Sequence, residues 1–490
     1  MPKAVIIGSG IAGIATAIRL AVKGYAVMVF ESNSYPGGKL TEINIDGFRF
    51  DAGPSLFTMP QYVDELFTLA GKNPWDYFRY EKLEEICKYF YEDGLNLTAS
   101  ADINEFAKEI EQKTNSSASE VHKYLSKSET IYEITRKVFL ERTLHKLKSY
   151  LHWDTLKSAL RFGQIDAFRD QNKANQSFFK DERIVQLFNR YATYNGSNPY
   201  QAPATLNVIP HFEYHFGAFI PDKGMYSIIT SLVKLAKDLG VKFQFDCRVE
   251  EIIYSADVVK GIRIKNSTIE ADLVVSNLDI WFTYKNLLPK FEAPEKLLAQ
   301  QRSSSALIFY WGIKNEYPEL GLHNIFFAEN YKAEFDAIWH DRKIHTDPTI
   351  YLNITSKYIK NDAPVNCENW FVMINVPANN DQNWDELIAK ARQNIIQKLS
   401  RLLKKNIAED IICEQILDPR SIEQQTGSYQ GSLYGNSSNN QFAAFLRHSN
   451  FSSKIENLYF CGGSVHPGGG IPLALLSAKI IDDNLKFPKA

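Results

Sequence analysis

Three glycines, Gly8, Gly10 and Gly13, fall in the order G-x-G-x-x-G within "GSGIAG", and an acid, Glu31, follows eighteen residues after the last of them. Glycine at the first position permits a tight turn, and at the second lets a pyrophosphate approach bare backbone. At the third it lets a helix pack closely on a strand, while the helix N-terminus favours phosphate charge. A carboxylate at the position of Glu31 can accept hydrogen bonds from a ribose diol. The chemistry these residues point to is the holding of a dinucleotide. A second glycine-rich stretch, "NLYFCGGSVHPGGGIPLALLSAK" (457–479), lies near the other end of the 490-residue chain. Backbone that permissive is costly to order, so it too marks a place where backbone must come close to something.

The flanking sequence supplies the elements that position the first motif. "KAVIIG" reads as a short buried strand, "IAGIATAIRLAVKG" as an Ala-rich apolar helix ending at Gly24, and "YAVMVFE" as a second strand, together a βαβ unit over 3–31. Residues 60 to about 200 carry charged, aromatic-rich helical patterns. "VKFQF", "RVEEIIYS", "VVKGIRIK" and "ADLVVSN" (241–277) predict the strands of a meander, and further strands are expected at 305–313, 324–329, 349–355 and 370–376. A helix is expected from about Trp384 to Leu403.

Composition bounds the function. Net charge is −2, which gives no basic field for nucleic acid. The five cysteines, Cys87, Cys247, Cys367, Cys413 and Cys461, are scattered and show no paired ligand spacing. The expectation is a reducing compartment, no disulfide framework and no metal site. No apolar run approaches the ~18 residues of a spanning helix, and the N-terminus enters a strand pattern at once, so an intracellular protein is expected. No Ser/His/Asp, Cys/His or paired-carboxylate constellation stands out, and no catalytic acid or base is assigned. His466 is a suspect whose plainer role is to bond the loop backbone.

After Glu31 and Ser32 come "ESNSYPGGKL", with Gly37, Gly38, Lys39 and Leu40, and then "GFRFDAGPS" (47–55) with Gly53, Pro54 and Ser55. This resembles the large flavoprotein family of amine oxidases, protoporphyrinogen oxidases and carotenoid desaturases. The resemblance implies FAD rather than NAD as cofactor. Lys39 stands where that family usually has arginine, which keeps the charge and loses the planar fork. The resemblance also carries over Val249, in "FDCRVEEIIY", as a backbone contact to the adenine. The C-terminal stretch, with Asn457, Phe460, Gly462, Ser464, His466, Pro467, Gly468, Gly470, Ile471 and Ser477, is similar to the signature of bacterial-type carotenoid desaturases. "SVHPGGGIPL" is similar to the branch acting on 1-hydroxylated acyclic carotenoids by 3,4-desaturation. "RYATYNGSNPYQAPATL", "PDKGMYSIITSLVKLAKDLG" and "SNLDIWFTY" extend the likeness along the chain. With FAD in place, Gly463 and Ser464 would present amides to its phosphates or ribitol, and Gly470, Ile471 and Pro472 would open a helix aimed at the flavin.

The resemblance implies an α/β (α+β overall) fold: a Rossmann-type FAD-binding domain assembled from 1–90, 205–290 and 445–490, a helical, membrane-contacting domain at 91–204, and a substrate domain with an antiparallel sheet at 291–444. It implies hydride transfer from a saturated carbon of a carotenoid to FAD with loss of a neighbouring proton, the electrons passing on to oxygen or a quinone. Within the fold, a phytoene- or neurosporene-type desaturase, an FAD-dependent carotenoid isomerase and an amine or porphyrinogen oxidase stay open, as does a flavin-free prenyl-binding protein of the GDP-dissociation-inhibitor type. A lipophilic substrate also implies contact with the cytoplasmic face of a membrane. The span 131–162 fits as a basic amphipathic helix, with Ile131, Ile134, Val138, Leu144, Leu147 and Leu151 at helical spacing and Tyr150, Trp153 and Phe162 at headgroup depth.

Overall fold

The computed structural model describes residues 1–143, 145–146, 153–265, 267–440 and 442–485. The βαβ unit forms as its pattern dictates: strand Lys3–Ile7, helix Ile11–Val22, strand Ala26–Phe30. Both strands lie in a five-stranded parallel sheet ordered Lys242–Gln244, Ala26–Phe30, Lys3–Ile7, Leu273–Ser276, Leu458–Phe460. Period-2 alternation sends the first strand's side chains to two cores. Ala4 and Ile6 pack under the helices Ile11–Val22, Tyr226–Asp238 and Ile471–Asn484. Val5 and Ile7 pack against Val249, Ile252, Val259 and Ile262 on the other face.

That second cover is where the expected four-stranded meander divides. Val249–Ser255, Val258–Ile264 and Ser267–Glu270 form a three-stranded antiparallel sheet, whereas the flanking strands Lys242–Gln244 and Leu273–Ser276 belong to the parallel sheet. Leu273–Ser276 is buried at every position, as an interior parallel strand must be.

A seven-stranded sheet runs in the order Ile411–Leu417, Ser305–Ile313, Glu368–Val376, Ile350–Ile354, His323–Phe326, Glu85–Phe90, Asn96–Ser100. The strand Glu85–Phe90, inside the 1–90 segment, pairs in parallel with His323–Phe326, and Asn96–Ser100, inside 91–204, extends the same sheet. One face of this sheet is sealed by the helix Trp384–Leu403 over Leu307, Phe309, Trp311 and Val372. The opposite face carries Ile308, His323, Ile325, Tyr351, Phe371 and Met373, in register across four strands, and these side chains line a cavity. Helices Ile103–Lys113, Ala118–Thr135 and Glu182–Asn189 pack with Tyr89, Leu97 and Phe327 in a core at the edge of this sheet.

The single helix expected over 131–162 is not one element. Helix Ala118–Thr135, started by a Ser117–Glu120 capping box, runs into a wider π turn at Arg136–Leu140, and a separate helix spans Trp153–Leu160. Ile131, Ile134 and Val138 are buried, so this half of the stripe packs on the interior. Leu144, Leu147, Tyr150 and Leu151 lie outside the described residues. No helix among the described residues is long and apolar enough to cross a membrane.

Candidate functional site

A cavity of about 1620 Å³ runs between the parallel sheet and the seven-stranded sheet. It exceeds the ~300–1,000 Å³ of an ordinary small-molecule pocket, and two chemically different regions share it.

The polar region begins at the end of the first strand. Gly10 is the N-cap of helix Ile11–Val22, so the amides of Ile11 and Ala12 have no intrahelical acceptor. Gly13 sits behind this turn rather than on the cavity wall. A Cβ there would lie 2.3 Å from the Gly8 carbonyl and 2.9 Å from Asn277 Oδ1, which explains the bare glycine. Asn277 clamps the site: its Oδ1 accepts from Gly13 N at 3.1 Å and its Nδ2 donates to the Cys461 carbonyl at 3.2 Å. One side chain thereby joins the N-terminal glycine turn to the C-terminal one. Glu31 is held by backbone amides of Ser9 (2.8 Å) and Asn33 (2.9 Å), one on each oxygen. The Ser9 and Ser32 hydroxyls also donate to it, and a ligand's hydroxyls could replace these rotatable donors.

Gly37 has φ +115°, its amide bonds the Ser9 carbonyl at 2.9 Å, and a Cβ there would meet the Leu40 carbonyl at 2.1 Å. The loop is pinned to the first motif at this point. Lys39 reaches across the molecule to the carbonyls of Ser432 (3.0 Å) and Leu433 (2.7 Å). Burial lowers its pKa to about 8, against the nearby charge of Asp279. An arginine fork is not needed for this pair of main-chain acceptors. Gly53, Pro54 and Ser55 follow the strand Phe48–Asp51 and lead the chain into the cavity, where the Ser55 hydroxyl meets Tyr351 OH at 2.7 Å.

From the other end of the chain, Gly463 and Ser464 follow the strand Leu458–Phe460, and Ser464 Oγ accepts from Ile280 N at 3.0 Å. Gly470 caps the helix Ile471–Asn484, with Pro472 in its first turn, where a missing N–H costs nothing. Two helix N-termini, at Ile11 and Ile471, therefore serve the same cavity. Gly8, Gly10, Ile11, Ala12, Glu31, Ser32, Gly37, Gly38, Lys39, Leu40, Gly53, Pro54, Ser55, Val249, Gly463, Ser464, Gly470, Ile471 and Pro472 all line it. This donor set, with amides for phosphates, a carboxylate for ribose hydroxyls and two helix dipoles, fits a dinucleotide cofactor.

His466 also lines the cavity and is buried. Its Nε2 bonds the Arg142 carbonyl at 2.8 Å, which ties the C-terminal loop to the 136–143 segment. Burial lowers its pKa to about 4. Neutral and tethered, it is placed to hold the loop.

The other region is apolar, walled by Phe139, Leu140, Leu206, Phe212, Phe371 and Met373. Within it lies a polar knot that the sequence analysis did not single out. Arg190, buried, donates to Glu213 (3.0 Å), Tyr191 (3.0 Å), Tyr89 (2.5 Å) and Tyr194 (2.6 Å). Tyr191 and Tyr194 donate in turn to the Glu213 carboxylate. Arg190 falls in "RYATYNG", quoted above only for its family likeness, and nothing in its spacing to Glu213 signals the contact.

Residues 11–480 match the family model described as flavin containing amine oxidoreductase. The chain is 50% identical over 483 residues to a 1-hydroxycarotenoid 3,4-desaturase of Flavobacterium sp. (strain P99-3), covering 99% of each chain. It is 32% identical to a 4,4'-diapolycopene oxygenase of Methylomonas sp., covering 99% of this chain and 98% of that one. Among solved structures, it is similar to the cyclohexylamine oxidase of Brevibacterium oxydans IH-35A at a TM-score of 0.62, with 13% identity over 98% of each chain.

Proposed function

The chain belongs to the flavin containing amine oxidoreductase family, and from that premise we propose that it is an FAD-dependent desaturase of a 1-hydroxylated acyclic carotenoid. One observation carries the substrate assignment: full-length 50% identity to a relative named for that reaction. The apolar region of the cavity supports it, because a polyene has few polar groups to recognise and must be held by shape and aromatic contact.

FAD, when bound, supplies the hydride-accepting chemistry that no side chain can provide. Glu31 would orient the adenosine ribose, the Ile11 and Ala12 amides would receive the pyrophosphate, and Val249 would lie against the adenine. The 463–464 turn and the Ile471 helix N-terminus close the far side. The apolar walls exclude water and align the saturated bond beside the cofactor residues. Positive charge developing on the substrate spreads along its conjugated chain, so no strong base is assigned among these residues. The same reading divides the chain into 1–90 with 205–290 and 445–490, 91–204, and 291–444, with Glu85–Phe90 and Asn96–Ser100 counted with the sheet of the third part.

Contact with a membrane surface is part of the same reading. Trp153, Leu156 and Leu160 are exposed at helical spacing on the helix Trp153–Leu160, and Phe168, which lines the cavity, is exposed nearby in sequence. An apolar substrate could pass from lipid to cavity across this face.

The test is anaerobic incubation of the holoenzyme with a 1-hydroxylated acyclic carotenoid. The expected result is a polyene absorption shift to longer wavelength together with bleaching of the flavin band. A polyene change without bleaching would indicate isomerisation, and no change in either would refute the reading.

A further inference from the structure

The apolar arm of the cavity holds buried charge and an unmatched donor where a hydrocarbon alone would call for neither. His323, on the strand His323–Phe326, is 3% exposed and lines the cavity. Its Nδ1 receives Asn353 Nδ2 at 3.1 Å. Asn353 Nδ2 also donates to the Leu322 carbonyl at 3.0 Å, which fixes that atom as nitrogen. Nδ1 is therefore an acceptor, and it faces Tyr351 OH at 2.7 Å. Burial, helped by the charge of Arg190, lowers the His323 pKa to about 3, so the ring is neutral with its proton on Nε2. Nε2 has no partner among the described residues, and neither has Arg190 Nε. Arg190, Glu213, Tyr194 and His323 all line the cavity. A buried donor left unpaired is costly, and a partner that the chain itself does not supply would relieve it.

Resting on the desaturase reading above, we propose that His323, with the Arg190–Glu213 pair beside it, is the subsite that binds the hydroxyl group on the end of the polyene. The hydroxyl oxygen accepts from His323 Nε2–H. The network also sets register. Ser55 Oγ, Tyr351 OH and His323 Nδ1 form a chain with 2.7 Å at each link, and Ser55 belongs to the loop assigned to the cofactor. In a polyene hydroxylated at carbon 1, the 3,4 bond is only a few bonds from the oxygen. An anchor at His323 holds that bond beside the Ser55 loop.

The experiment uses holoenzyme and two probes: an acyclic carotenoid hydroxylated at carbon 1 and the same polyene without the hydroxyl. Equilibrium binding is read from the shift in polyene absorption, and kcat/KM is read alongside. A site built for a substrate hydroxyl should favour the first probe by at least about tenfold. His323→Leu should bring the two probes to within about twofold of each other, and His323→Gln, which restores a donor, should recover part of the preference. FAD content, read from its absorbance, controls for folding. A preference that persists undiminished in His323→Leu overturns the proposal. So does wild-type binding and desaturation of both probes equally, an outcome that leaves the desaturase reading intact. Failure of the wild type to act on either probe overturns the desaturase reading, and this subsite with it.

Discussion

At the scale of single residues, the site depends on how closely backbone can approach backbone. Gly13→Ala places a methyl 2.3 Å from the Gly8 carbonyl and 2.9 Å from Asn277 Oδ1, so turn, helix or clamp must shift. Overpacking of this kind costs about 1–3 kcal/mol. The variant should purify with most of its flavin absorbance lost and a lower melting temperature, and full flavin occupancy would contradict the geometry. Asn277→Leu tests the clamp from its other side, stranding the Gly13 amide at a cost of about 1–3 kcal/mol. It should weaken FAD retention on gel filtration although Asn277 belongs to neither glycine motif. The difference between these residues shows what a sequence can express. Gly13 is legible because the turn it serves, with the Gly8 carbonyl 2.3 Å from its would-be Cβ, is written within six consecutive residues. Asn277 is 264 residues from the amide it caps, and a lone asparagine carries no local signal of such a partner. Arg190 and Glu213 were hidden for the same reason.

At the scale of elements, period decided most assignments and ambiguity of destination decided the errors. Strands Lys242–Gln244 and Leu273–Ser276 were read correctly as strands but put in the wrong sheet, since neither alternation nor β-propensity says which neighbour a strand will take. The stripe in 131–162 divides: Ile131, Ile134 and Val138 follow the helical period and are buried, the first two against Ile165 and Phe162. Among the described residues of that span, the helix Trp153–Leu160 presents exposed apolar side chains, with Leu160 82% and Trp153 66% exposed. Burying such side chains in the acyl boundary is favourable by about 1.5–3 kcal/mol each, offset by the ordering of the helix. The double variant Trp153→Glu, Leu160→Glu should therefore lose most of its flotation with anionic liposomes while keeping its flavin spectrum. Ile131→Glu should instead destabilise the fold, being 1% exposed. Equal flotation of the double variant and wild type would remove this helix from the membrane contact.

At the scale of the whole molecule, the packing of sheets and helices around the cavity and behind it buries four histidines away from water. Burial lowers the pKa of His211, His448 and His466 to about 4 and that of His323 to about 3. Each folded value lies below the ~6.5 of an unfolded histidine, so the unfolded chain binds more protons between these limits. The stability these groups contribute is fully present above pH 6.5 and is lost as pH falls toward 4. Raised carboxyl pKa values at Glu334 and Asp362, both set first by burial, act in the opposite sense, but nearer the acid end of that window. The urea midpoint should therefore fall steadily from pH 7 to pH 5. His211 isolates the cause, because its ring packs on His215 and Tyr132 at centroid distances of 4.4 and 4.8 Å, contacts that a phenylalanine can keep. His211→Phe removes one titrating group, so its stability relative to wild type should improve by about 2 kcal/mol between pH 7 and pH 5. A constant difference across that range would show that the buried His211 ring takes up its proton as easily in the folded protein as in the unfolded chain.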